Sequence, residues 1–251
     1  MRLRLAASVI LAARLCSAQQ QPTDEDRDIS WKRLVPNIVE DQKSIWSFPR
    51  KLSERRNLVP TIAFVVIGTA LAVGADPPAA RYFRNTSTFS GYNHALPSTA
   101  TSAAILAAPL ALYGAGFIRK DTKMTRTALL AGEAVADAEI LTEVLKPAVS
   151  RWRPSAIPAN GNFSDTFTEG GNRFSSAHTS FPSGHTITAF AVATVISRRY
   201  GQHHRWVPIL AYGGAAAIGF SRLTLSAHYT SDVFVGAALG YSISRFAVLR
   251  D

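Results

Sequence analysis

Residues 206–220, WVPILAYGGAAAIGF, carry no charged side chain and show no alternation of apolar with polar positions. A run of that length without period-two patterning reads as a buried or lipid-facing helix and not as a strand. Five other stretches share its character: Leu58 to Ala75, Leu96 to Ile118, Thr127 to Val149, Thr186 to Tyr200 and Val233 to Leu249. The expected fold is therefore all-α, a helical bundle of about six helices. Ala211 to Gly219 and the Gly236/Gly240 pair supply the small residues that let helix backbones approach closely. Lipid is the expected solvent for this bundle, so the fold is expected to be membrane-embedded.

The third stretch resists that description, because Glu133, Asp137, Glu139 and Glu143 fall on two faces of a helix turning 100° per residue. Ionisable groups at membrane depth are costly and point into protein. This helix is expected to be shielded by its neighbours or to lie outside the bilayer.

The chain has 251 residues, 47% of them hydrophobic, and a formal charge of +10. Its mean hydropathy of +0.07 lies above that of most soluble enzymes and below that of a chain made of lipid-facing helices. The basic residues are spread over loops and helix ends, which excludes a nucleic-acid surface and suits an anionic substrate or an anionic lipid face. No linker or repeat divides the second half, so one domain is expected over 58–251. Met1-Arg2-Leu3-Arg4, the apolar run Leu5 to Ala13 and Cys16-Ser17-Ala18 resemble a signal peptide over 1–18, with Arg14 off the pattern. Its removal would take away Cys16, the one cysteine, and with it any disulfide or thiolate chemistry. Residues 19–57, polar with Trp31, Trp46 and Phe48 interleaved, read as a surface arm able to lie along a membrane.

Three short motifs close or open the helices. Lys146, six residues and Arg153-Pro154 end the third stretch; Pro182-Ser183-Gly184-His185 opens the fourth; Ser221-Arg222, five residues, His228, three residues and Asp232 join the fifth to the sixth. All fall at one end of the bundle, where the active site is expected. The basic clusters Arg50/Lys51/Arg55/Arg56, Arg119/Lys120/Lys123/Arg126 and Arg198/Arg199/Arg205 fall at the other end. Basic loops favour the cytoplasmic side, so the motifs are expected on the exported face of a bacterial-type cell membrane, or in the periplasm.

The order and spacing of these motifs resembles the three-part signature of the type 2 phosphatidic acid phosphatase and vanadium haloperoxidase superfamily, over about Leu129 to Leu249. Eleven specified residues make an accidental match rarer than roughly one in 10⁸. The resemblance implies a metal-independent phosphatase with no cofactor, acting through a phosphohistidine on His228.

Phosphoryl transfer needs cations fixed around three equatorial oxygens, and Lys146, Arg153 and Arg222 are the candidates. Lys146 and Arg153 would share a helix face if Pro147 only kinks the helix. Ser183 is placed to cap the fourth helix, and Gly184 lets backbone N–H groups approach an anion at its positive end. His185 can protonate the departing oxygen. His228 and Asp232, four apart, suggest a carboxylate that holds one ring nitrogen while the other attacks phosphorus. His203 and His204 lack a third ligand at metal-binding spacing, so no metal site is expected.

The resemblance implies as the expected substrate a phosphate ester on a lipid, such as phosphatidate, phosphatidylglycerophosphate or an isoprenyl diphosphate. An exported soluble acid phosphatase carries the same motifs. A vanadium haloperoxidase would use the same cage but is usually far larger, and a scaffold without chemistry would have no use for these groups. The long connection 155–181 is expected to border the leaving-group pocket.

Overall fold

The computed structural model describes residues 27–51, 54–167 and 179–250. The signal-peptide reading of 1–18, Cys16, and most of the second half of the 155–181 connection lie outside the described residues. Among those described there are nine α-helices and no strand, only an isolated bridge between Trp152 and Thr179. The helices are α1 (Leu34–Ser47), α2 (Arg55–Ala70), α3 (Asp76–Asn85), α4 (Ser90–Ala95), α5 (Ser98–Ile118), α6 (Thr122–Val149), α7 (Gly184–Tyr200), α8 (Trp206–Thr224) and α9 (Thr230–Ser242).

The six apolar stretches reappear as α2, α5, α6, α7, α8 and α9, and the all-α expectation is met. The three further helices are short or polar, where periodicity of apolar residues carries little signal. Between α2 and α3 a π-helical turn, Leu71–Ala75, shifts the helix without breaking it, and Pro77 and Pro78 follow at positions that need no helical N–H. The combined helix Asn57–Asn85 and helix α5 are both long and apolar enough to cross a membrane, and none of the most apolar stretch of the first is buried inside the molecule.

Helix α7 is the centre of the bundle, packed between α6, α8 and α9. Ile187, Ala191 and Val195 on it are fully buried. Glycine makes the α7–α9 crossing possible: a Cβ on Gly240 would overlap the Ile187 carbonyl oxygen and sit 2.9 Å from the Ala191 nitrogen. The Gly236/Gly240 pair thus acts through a backbone-to-backbone approach, as the sequence suggests.

The acidic face of α6 is covered by the N-terminal arm. Asn37 donates to Glu133 at 2.8 Å and Gln42 to Asp137 at 2.9 Å, while Arg27 pairs with Asp41 at 2.6 Å and with Glu133 at 3.2 Å. Arg27 also reaches the carbonyls of Ala247 and Val248, both at 3.4 Å. Glu133, Asp137 and Asp41 are all fully buried. The described part of the expected surface arm is therefore docked into the bundle, and it shields two of the four α6 carboxylates. Glu139 and Glu143 lie on the exposed face.

Candidate active site

The N-termini of α5, α7 and α9 and the C-termini of α6 and α8 meet at one end of the bundle, and the three motifs meet with them. Lys146 lies on the last turn of α6, which ends where Ser150 turns left-handed at φ 49°. Arg153 therefore sits beyond the helix in extended backbone. The shared helix face expected for Lys146 and Arg153 is not formed, because the chain leaves the helix between them. The two charges still act on one another, and Arg153 and Arg222 do the same. A side chain at Gly184 would meet Thr142 at 3.0 Å and the Lys146 ammonium at 3.9 Å. Glycine at the first position of α7 leaves that space to the lysine.

Ser183 occupies the N-cap position but does not cap with its side chain, which bonds the Thr186 hydroxyl at 2.8 Å instead. The opening of α7 is left facing the cations. Next in sequence, His185 places Nε2 2.8 Å from the Ser102 hydroxyl and 3.2 Å from the Ser98 carbonyl, so α5 fixes the ring. Arg222 is buried and donates to the Ser98 hydroxyl at 2.9 Å and the Leu96 carbonyl at 3.1 Å. The start of α5 thus forms a wall of the site that none of the three motifs includes.

His228 stands in the turn before α9. Its Nδ1 lies 2.6 Å from the Ser180 carbonyl oxygen, which can only accept, so Nδ1 carries the hydrogen and Nε2 keeps its lone pair. The Asp232 carboxylate is 3.7 Å from Nδ1, too far for the direct hydrogen bond suggested by the four-residue spacing. Residues 228 and 232 do not share a helical turn, since α9 begins at Thr230. Asp232 instead accepts from the Ser180 hydroxyl, from the Tyr229 backbone N–H at 2.8 Å and from Arg151 at 2.6 Å. Ser180, Ser98, Ser102 and Arg151 all escape a reading based on motif positions. Arg151 alone left a signal, a third arginine two residues before Arg153.

Electrostatically the site is a cationic cup with neutral imidazoles. Burial lowers the pKa of His228, against the pull of Asp232, and burial lowers that of Arg153. His185 is pushed down to about 4 by burial first, then by the charge of Arg222, with His228 and Lys146 adding to it. At neutral pH the ring is uncharged. An oxyanion would cancel the neighbouring cations and raise this pKa, restoring a proton for transfer. Titrating the His185 ring by NMR should show a midpoint near 4 that rises when vanadate is added.

The family model described as the PAP2 superfamily matches residues 127–250. The chain is 45% identical over 64 residues to a lipid A 1-phosphatase of Porphyromonas gingivalis, covering 26% of this chain and 14% of that protein. To a lipid A 1-phosphatase of Rhizobium etli it is 36% identical over 104 residues, 40% of each chain. The chain thus spans well under half the length of these relatives. Among solved structures it resembles a transmembrane PAP2 type phosphatidylglycerolphosphate phosphatase from Bacillus subtilis, with a TM-score of 0.42 and 22% identity over 83% of this chain and 92% of that one.

Proposed function

We propose that this chain, whose residues 127–250 match the PAP2 superfamily model, is a membrane-bound lipid phosphatase that uses His228 as nucleophile and needs no metal. The observation that carries this reading is the tautomer of His228: Nδ1 is committed to the Ser180 carbonyl, which leaves the Nε2 lone pair free, and the charge of Arg153 acts on the ring. Three cations and the positive end of α7 suit a phosphate group whose charge spreads in the transition state.

In the first step the Nε2 lone pair forms an N–P bond while the P–O bond to the lipid breaks, and His185 gives its proton to the departing oxygen. In the second, water attacks phosphorus and loses a proton to His185. The N–P bond then breaks and its electron pair returns to Nε2.

Lipid as the setting is supported by the surface. Val59, Val66 and Val73 on the Asn57–Asn85 helix and Leu110 and Ile118 on α5 are exposed, from 60% to 81%. Bare valine and leucine on two helices long enough to span a bilayer match lipid as solvent. Trp31 and Trp46 on the arm are exposed as well, as expected at a membrane surface. Arg50, Lys51, Lys120 and Arg205 lie at the end opposite the site, a distribution of positive charge that supports a site on the exported face.

The named relatives act on lipid A 1-phosphate. We add a glycosyl 1-phosphate on a lipid to the expected substrates, beside phosphatidate, phosphatidylglycerophosphate and isoprenyl diphosphate. The test is phosphate release by detergent-extracted protein from each of these and from an aryl phosphate, with and without EDTA. A higher kcat/KM on a lipid, unaffected by EDTA, is the expected result. Preference for the aryl phosphate by protein that extracts without detergent would identify a soluble acid phosphatase instead, and strong loss with EDTA would overturn the mechanism.

A further inference from the structure

We propose that Asp76 and Arg151 are positioning residues for the nucleophile, holding Asp232 and Ser180 so that His228 keeps its attacking orientation. This rests on the reading of His228 as nucleophile.

Arg151 is 1% exposed, and Asp76 and Asp232 are fully buried. The guanidinium lies between two carboxylates, donating to Asp76 at 2.7 Å and to Asp232 at 2.6 Å. Its Nε donates to Thr166 and its Nη1 also to Ser231, both at 2.9 Å. The rings of Tyr229 and Phe167 cover it at 3.8 and 4.1 Å. Asp76 is equally engaged: one oxygen accepts from the Ser231 backbone at 2.9 Å, the other from the Ser231 hydroxyl at 2.5 Å. Arg151 in turn offers its carbonyl to the Ser180 N–H at 2.7 Å. Both atoms of residue 180 that matter to the nucleophile, the carbonyl on His228 and the hydroxyl on Asp232, are thus set by this cluster.

Two features argue against a merely structural ion pair. A buried ion network stabilises a fold no better than apolar packing of similar volume, so its retention needs another reason. Its charge also has the right sign. Two carboxylates and one guanidinium leave one negative charge beside a ring that becomes positive when Nε2 bonds phosphorus. Asp76 comes from outside the matched region 127–250, at the first position after the π-helical turn. The membrane-facing helix is thereby tied to the nucleophile by a residue that the motifs do not contain.

The experiment compares Asp76→Asn, Ser231→Ala and His228→Ala in the full chain, extracted in detergent, with kcat and KM on an aryl phosphate across pH. His228 is faced by Asp232 from α9, by Arg153 from the connection after α6 and by His185 from α7. The acid limb of kcat follows protonation of His228, which removes its lone pair. Asp76→Asn should lower kcat by about 10- to 100-fold, the usual cost of losing a partner behind a functional group, with KM little changed. It should also move the acid limb to lower pH, since less negative charge disfavours the imidazolium. Ser231→Ala, which keeps every charge, should lower kcat by a smaller factor and leave the limb in place. If Asp76→Asn does not fold, the fall in kcat of Ser231→Ala decides. Wild-type kcat in both variants, or a loss without movement of the limb in Asp76→Asn, overturns the proposal while an inactive His228→Ala leaves the nucleophile standing. An active His228→Ala removes the premise itself.

Discussion

Replacing His228 by alanine should abolish turnover, with a fall on the order of 10⁶-fold, the loss found when an enzyme nucleophile is deleted. The fall should be the same on every substrate, because the step that forms the N–P bond is common to all of them. His185→Ala should behave differently. Losing a general acid costs roughly 10²- to 10⁴-fold, and less when the leaving group departs readily without a proton. On an aryl phosphate the two variants should therefore diverge, and on a lipid alkoxide they should converge. Vanadate should still bind to His228→Ala, since Lys146, Arg153 and Arg222 remain. Quenching the wild-type protein in alkali and looking for base-stable phosphate on histidine checks the intermediate directly. Absence of that adduct, with full activity in His228→Ala, would move the nucleophile elsewhere.

The second large effect belongs to Asp232. Asp232→Asn should lower kcat by roughly 10²- to 10⁴-fold, as when the orienting carboxylate of a catalytic histidine is neutralised. The route differs from direct support of the ring, because the carboxylate stands 3.7 Å from Nδ1. An amide in its place has one acceptor oxygen where the carboxylate has two, so it cannot serve Arg151 on one side and Ser180 and the Tyr229 N–H on the other, and it withdraws negative charge from the ring. Ser180→Ala separates these contributions. It deletes the hydroxyl bonded to Asp232 but keeps the backbone carbonyl that holds His228, so its loss should be far smaller than that of Asp232→Asn. Steady-state kinetics of the two variants decides the matter, and equal losses would mean that the hydroxyl, and not the charge, is what counts.

The helices could be read from the chain because their apolar stretches are long and lack period-two alternation. The cations and imidazoles could be read because their spacing matches a known signature. The links between them could not. Lys146 and Arg153 converge although Ser150 breaks the helix between them, and His228 falls just short of the helix that carries Asp232. Such errors arise at element ends, where one residue in left-handed backbone redirects everything after it. Asp76, Ser98 and Ser102 reach the site from helices that carry no motif, and a pairing across 155 residues such as Asp76 with Ser231 leaves no local pattern. The acidic face of α6 posed a visible problem in the sequence, whereas its solution, Arg27, Asn37 and Gln42 on the arm, lay in a segment with too few apolar residues to assign.

That arm has a consequence for how the molecule is made. A ribosome delivers Arg27 long before Glu133 and last of all the carbonyls of Ala247 and Val248, yet the guanidinium is set against all three. The contacts of Arg27 with these two carbonyls must wait until the segment after α9 has been made, whereas those with Asp41 and Glu133 need only α1 and α6. Contacts of this sequence separation form slowly, and partly assembled chains expose what the final contact will cover. Asn37 and Gln42 can therefore cover the two α6 carboxylates as soon as that helix exists, and Arg27 is left to clasp the far end of the chain onto an arm already in place.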